Sequence, residues 1–272
     1  MAPNNGFVFD QQTRLPGLDG ACGIVTGASG GMGFVLAQLL TECGARVGIN
    51  GRSHARVELA VAELNSRRPD SALALPADVS QLDQVCRMSR DFLRWSAGRY
   101  DFLVCNAGYA LDDTLWNTPL HAYSDEQITQ GFAAVRAVDL DGARFCSREA
   151  LRTMVAQKAG ALVFVSSTPA LSGHKGTPYT EAKAALLGLM RDIAVEYAGM
   201  NIRANAVALG DIASGWYHNL APERIAELAA EIPLQRWGQQ AEVAGTIAFL
   251  LSDLAGYITG QTLIVDGGKI IR

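Results

Sequence analysis

Seven short apolar runs recur along the chain, each separated from the next by a longer segment of helical periodicity. This alternation constrains the fold more than any other feature. The runs are ACGIVT, ARVGIN, SALALP, DFLVC, ALVFVS, NIRANAVAL and TLIVD, beginning at Ala21, Ala45, Ser71, Asp101, Ala161, Asn201 and Thr262. Each is a few residues long and rich in Val, Ile and Leu without polar alternation, as strands buried on both faces require. Helical patterns fill the intervals over Phe34–Cys43, Ala55–Asn65, Gln81–Trp95, Ala133–Gln157, Pro178–Tyr197 and Ala241–Leu251. Strand and helix in strict alternation predict an α/β fold: a doubly wound, seven-stranded parallel sheet with helices on both faces.

No linker, repeat or composition shift interrupts the pattern, so residues 18–272 are expected to form a single domain after an aperiodic N-terminal arm of residues 1–17. A long connection over residues 109–131 follows the fourth strand. It reads either as a functional segment or as a tolerated surface insertion. The 272 residues carry 23 basic and 27 acidic side chains, a net charge of -4, which offers no basic field to nucleic acid or to an anionic membrane surface. Five cysteines, Cys22, Cys43, Cys86, Cys105 and Cys146, are scattered without a C-x-x-C pair and read as reduced thiols. Neither a cleavable leader nor a run of 18 apolar residues is present, and histidines are too dispersed for a metal site. The expectation is a cytoplasmic protein with no metal, no membrane association and no nucleic-acid partner.

Between the first strand and the first helix stands TGASGGMG, residues 26–33. The common dinucleotide fingerprint G-x-G-x-x-G fails here, because Leu36 occupies the place of its third glycine. Position still favours a phosphate loop: glycines at a strand-to-helix turn let backbone N–H groups approach an anion at the positive end of the helix.

T-G-x-x-x-G-x-G after strand one, NAG at Asn106–Gly108 after strand four, and YTEAK at Tyr179–Lys183 together resemble the motifs of the short-chain dehydrogenase/reductase family. ADVS at Ala77–Ser80 and the closing stretch from Pro233 to Gly268 are similar to its 3-oxoacyl-carrier-protein reductase branch. The resemblance spans roughly residues 18–268 and implies a Rossmann-type nicotinamide enzyme. It further implies that Ser29, Gly30 and Met32 line the pyrophosphate in a cofactor-binding turn that includes Gly27 and Gly33, that Asp78 and Val79 hold the adenine, and that Asn106, Ala107 and Gly108 flank the cofactor. Gly210, Ile212 and Ser214 fall where the nicotinamide amide is bound, and residues 211–235, beginning near Trp216, Tyr217 and His218, are expected to form a substrate lid. Asp78 has a second reading as a cap of the helix that follows. Family packing of the helices over Ala133–Gln157 and Pro178–Tyr197 implies a homotetramer, with a dimer as the alternative.

The choice of cofactor can be read from residues. NAD-specific folds place an acid at the end of strand two to accept from the ribose 2′-hydroxyl. Here that place is Gly51, followed by Arg52 and Ser53 at a helix N-terminus. A cation at that end of a helix dipole is unfavourable unless an anion lies between them, and the 2′-phosphate of NADP(H) supplies one.

Tyr179 and Lys183 lie four residues apart on a helix and so share a face. A lysine cation beside a phenol favours the phenolate and equips it for proton exchange. Ser167 matches the family hydroxyl that binds the substrate carbonyl; counting back from Tyr179 selects Ser166 instead, and the strand register favours Ser167. Asp139 occupies the place of a family asparagine that supports a water and the lysine. Aspartate cannot donate through an amide and carries a charge able to pair with Lys183 and raise its pKa, unless it is merely a helix-surface acid. The expected activity is NADPH-dependent reduction of a ketone or 3-oxoacyl substrate, or the reverse alcohol oxidation. The alternative is a non-catalytic dinucleotide-binding member of the same fold. Initial rates with the two coenzymes test the assignment: turnover should favour NADPH, and a preference for NADH would overturn it.

Overall fold

The computed structural model describes residues 15–174, 177–215 and 217–271. Seven strands form one parallel sheet: β1 (Cys22–Val25), β2 (Arg46–Gly51), β3 (Ala72–Pro76), β4 (Phe102–Cys105), β5 (Gly160–Ser167), β6 (Ile202–Leu209) and β7 (Thr262–Val265). Their spatial order is β3-β2-β1-β4-β5-β6-β7, and every neighbouring pair runs parallel. The sequence order reverses at β1, so the chain leaves β1 and β4 toward opposite faces. A crevice opens at their carboxyl ends, the usual place for a ligand in an open α/β sheet.

Helices α1 (Gly31–Glu42), α2 (His54–Arg67), α3 (Leu82–Trp95), α4 (Asp113–Asn117), α5 (Phe132–Arg136), α6 (Gly142–Gln157), α7 (Pro169–Ser172), α8 (Pro178–Tyr197), α9 (Pro222–Ala230) and α10 (Gln240–Leu251) complete the described elements. Two buried clusters cover the two faces of the sheet. One packs α1, α2 and α10 onto the sheet through residues such as Leu36, Leu40, Val57, Val243 and Ile247. The other packs α3, α6 and α8 through Val85, Phe92, Ala150, Leu186 and Met190. β1 and β4 are buried along their whole length, which accounts for their uninterrupted apolar sequence.

Capping chemistry sets several helix starts. Thr177 accepts the Thr180 N–H at 3.2 Å and Pro178 follows at the first helical position, fixing the start of α8 where the sequence predicts it. Ser53 caps α2. Gln239 and Glu242 form a reciprocal capping box on α10. Helix α1 starts at Gly31, three residues before the predicted start at Phe34, because the glycines join the first turn instead of preceding it.

Two segments differ from expectation. The predicted helix over Ala133–Gln157 is divided by a π-helical turn at Ala137–Asp141, after another at Gln127–Gly131. A π turn admits one extra residue and so rotates the side chains it carries relative to a regular helix. The connection over 109–131, expected to be irregular, contains α4 and docks through Leu115 onto Val135 and Ala182. Four of the five thiols are buried and Cys86 is half-buried, and none of the five is in a disulfide. Among the described residues no helix is long and apolar enough to cross a membrane, and no group of side chains is arranged to hold a metal. Of the N-terminal arm only residues 15–17 are described.

Candidate active site

The glycine turn after β1 is locked from both neighbouring strands. The Asn106 amide donates to the carbonyls of Thr26 and Gly27 at 2.8 and 3.2 Å. The Thr26 hydroxyl accepts the N–H groups of Asn106 and Ala107 at 2.9 and 3.0 Å and donates to the Val104 carbonyl. From the other side the buried Asn50 side chain donates to Leu75 and Ala77 and accepts the Gly27 N–H at 3.4 Å. Gly27 has φ +65, and a Cβ there would stand 2.9 Å from the Ala107 Cα, so both conformation and space demand glycine.

Above this turn lies a cleft of about 560 Å³, within the range of cofactor sites. Of the sequence-predicted cofactor residues, Gly27, Ser29, Arg52, Ser53, Asp78, Val79, Asn106, Ala107 and Gly108 line it. Gly30 stands at the Arg56 guanidinium, where a Cβ would come within 2.8 Å. Met32 packs half-buried against the core, and Gly33 closes onto Asn106 and Gly27, where a Cβ would lie 2.6 and 2.7 Å away. Asp78 lines the cleft while its carboxylate accepts the N–H and hydroxyl of Ser80, so it shapes the turn ahead of α3, whose N-cap is Gln81.

Gly210, Ile212 and Ser214 lie outside this lining. Gly210 bonds to the Val265 carbonyl, Ile212 is buried and bridges to Gly238, and the Ser214 carbonyl accepts from Tyr217. They sit at the carboxyl end of β6, and Lys269 ties that region to the far end of the expected lid by pairing with both Asp211 and Glu231, at 2.8 and 3.1 Å. Trp216 lies outside the described residues. His218 is exposed, and Tyr217 meets Trp237 edge-on at 5.0 Å.

Asn50, Gly51, Arg56, Ala77 and Val138 line the cleft without having been predicted. The signals for two of them were present: a lone asparagine inside an apolar strand, and a second arginine four residues after Arg52. The donor set suits the phosphates of a dinucleotide. Two guanidinium groups, two serine hydroxyls and the start of α2 surround the outer end of the cleft, and the one carboxylate among its lining residues, Asp78, is already engaged.

Tyr179 and Lys183, on α8 and also expected to hold the cofactor, do not line the cleft; Lys183 stands behind Gly108, which does. The Lys183 Nζ forms an ion pair with Asp139 at 2.7 Å and donates to the Val165 carbonyl at 3.1 Å. The pair is deeply buried, with side-chain exposures of 5% for the lysine and 0% for the aspartate. The π turn brings Asp139 inward, and its second oxygen accepts the Tyr109 N–H at 2.7 Å. Asp139 is therefore not a helix-surface acid. The Lys183 nitrogen lies 5.4 Å from the centre of the Tyr179 ring. A Cβ on Gly108 would lie 3.4 Å from the Asp139 carboxylate and 3.7 Å from the Lys183 nitrogen, which joins the ion pair to the nucleotide cleft.

Burial pulls the Lys183 ammonium down, but Asp139 and Tyr179 more than offset it, and its pKa is raised above 10.5. With the folded value above the unfolded one, the lysine's contribution to stability is present just below its ordinary value and is lost as pH climbs through the higher folded value. The two candidate serines separate by burial. Ser166 is buried and donates to the Lys183 carbonyl at 2.8 Å; Ser167 is half-buried and donates to the Leu209 carbonyl at 3.2 Å.

Comparison with known proteins gives the arrangement its relatives. A family model described as enoyl-(acyl carrier protein) reductase matches residues 27–269. A 3-oxoacyl-[acyl-carrier-protein] reductase of Staphylococcus aureus is 36% identical over 247 residues, covering 90% of this chain and 96% of the relative. A solved 3-oxoacyl-[acyl-carrier protein] reductase from Brucella melitensis superimposes with a TM-score of 0.86 at 29% identity, covering 96% of both chains. Another reductase structure of that name from the same organism, with bound NAD, gives 0.84 at 29% identity over 96% of this chain and 95% of that one.

Removing one partner of a buried ion pair leaves an uncompensated charge, at a cost of about 3–5 kcal/mol. Asp139→Ala should lose about that much in urea unfolding, whereas Asp139→Asn, which keeps one acceptor oxygen for either Lys183 or the Tyr109 N–H, should lose less and retain or raise reductase turnover. Collapse of turnover in a folded Asp139→Asn protein would instead give the carboxylate a chemical task of its own.

Proposed function

This chain belongs to the short-chain dehydrogenase/reductase family, and from that premise we propose that it is an NADPH-dependent carbonyl reductase acting on a ketone or 3-oxoacyl substrate. The observation that carries the proposal is the convergence at Gly108: a nucleotide-sized cleft ends where a buried lysine, held by Asp139, stands beside the Tyr179 phenol. Its named relatives are reductases of 3-oxoacyl thioesters, which supports the reaction class.

A nicotinamide coenzyme held by the glycine turn, Arg52, Ser53, Asp78 and Asn106–Gly108 would supply the hydride chemistry. The chain's own residues do the rest. The Ser167 hydroxyl, the more accessible of the two serines, orients the carbonyl oxygen. Tyr179 donates its proton to that oxygen as negative charge develops there, acting as general acid in reduction and general base in the reverse direction. Lys183 maintains a positive charge beside the phenol, and Asp139 and the Val165 carbonyl fix its nitrogen in place. Glycine at position 51 and the guanidinium groups of Arg52 and Arg56 favour a coenzyme bearing a 2′-phosphate. A bound NAD in a relative belongs to that relative, and here the acid that would accept from a free 2′-hydroxyl has no counterpart at Gly51. The working assembly is a homotetramer or dimer built on α6 and α8, following the family resemblance.

One observation favours a second reading, a dinucleotide-binding protein without turnover: Asp139 places a charge beside the lysine where the family has a neutral amide. Tyr179→Phe separates the two. NADPH consumption with a ketone panel should fall by about two to four orders of magnitude while NADPH binding, followed by nucleotide fluorescence, stays unchanged. If the parent consumes no NADPH with any ketone, or if the variant matches the parent, the catalytic reading fails.

A further inference from the structure

The connection after β4 brings to Tyr179 an aromatic side chain that the catalytic reading leaves unused. Trp116 stands half-buried on α4. Its indole stacks on the His174 imidazole, with centroids 4.1 Å apart and planes at 21°, and meets the Tyr179 phenol edge-on at 5.7 Å and 72°. Three separate segments thus converge on one aromatic cluster: α4, the loop after α7, and α8.

Anchoring of α4 does not account for this tryptophan. The helix is attached by Leu115, buried with Val135 and Ala182, by the Tyr123 hydroxyl on the Leu115 carbonyl at 2.8 Å, and by the Asp112 cap. Trp116 takes no part in that buried cluster, and neither Trp116 nor His174 lines the nucleotide cleft. The cluster stands beside the ring proposed to deliver the proton, on α4 and the loop after α7, elements that contribute no residue to the cleft lining.

Resting on the reductase reading, we propose that Trp116, backed by His174, is a specificity-determining residue: an aromatic wall that favours ketones carrying a flat ring beside the carbonyl over flexible linear acyl ketones. A flat ring gains offset or edge contacts with the indole beyond its buried area. It also loses few torsions on binding, whereas a linear acyl chain must give up several. The stacked imidazole holds the indole in position before substrate arrives, so the wall is preorganised.

The test compares kcat/KM, with NADPH, for 1-tetralone and for the N-acetylcysteamine thioester of acetoacetate. The parent should favour the ring. Trp116→Ala should lose about tenfold on 1-tetralone, mainly through KM, and stay within about twofold on the thioester; Trp116→Phe should recover most of the loss. An unchanged ring-to-chain ratio in Trp116→Ala, or an equal loss on both substrates at an unaltered Tm, overturns the wall. A parent that reduces neither these compounds nor any ketone of the panel contradicts the reductase reading instead. The wall is then judged by binding of 1-tetralone to the protein–NADP+ complex: about tenfold weakening in Trp116→Ala supports it, and absent or equal binding overturns it.

Discussion

A buried ammonium requires a counter-charge, and the site is arranged around the way Lys183 finds one in Asp139. Desolvating two ions costs several kcal/mol each, and their attraction offsets this only with close geometry and satisfied remaining bonds. The first condition holds, with the ions 2.7 Å apart, and the second holds in part: the lysine also donates to Val165 and one carboxylate oxygen accepts from Tyr109, while the other faces the ammonium without a hydrogen bond. One pair thereby ties together the end of β5, the start of the long connection, the π turn and α8. Any slip of α8 along the sheet would break the pair and move Tyr179, so the phenol's position is secured by the same contact that neutralises the lysine. The pairing also restrains the cation. Its field at the phenol is shared with a carboxylate, and the proposed proton transfer operates beside a neutral pair.

The rest of the site is secured by simpler means. Strand order reverses at β1, and the resulting crevice is closed at its floor by Thr26, Asn50 and Asn106, whose bonds leave the glycine turn little freedom. A rigid floor with cationic side chains at the outer end suits a ligand with phosphates at one end and a reactive ring at the other. Tyr179 and Lys183 stand at the inner end of that line, adjoining Gly108.

Much of this was legible in the sequence because it rests on local signals. Apolar runs without alternation announced a sheet buried on both faces, and the helical pattern beginning at Pro178 announced α8. Features that depend on long-range contact were not legible. A regular helical pattern over Ala133–Gln157 hides the π turn, which carries Asp139 to Lys183, 44 positions away. Asn50 and Arg56 look like ordinary polar residues until strand pairing and the start of α2 bring them to the glycine turn. Trp116 read as one residue of a loop, because nothing local reveals that α4 will dock on α8. The choice between Ser166 and Ser167 rested on strand register alone, and burial of the Ser166 hydroxyl against the Lys183 carbonyl adds a contact that spacing could not supply.

The most direct measurement of the central claim is a crystal structure of the protein soaked with NADP+. The account predicts the 2′-phosphate against Arg52 and Arg56, the nicotinamide ring within reach of the Tyr179 hydroxyl, and Lys183 still paired with Asp139. A nucleotide bound with its nicotinamide turned away from Tyr179, or an ordered crystal whose cleft stays empty at saturating coenzyme, would contradict it.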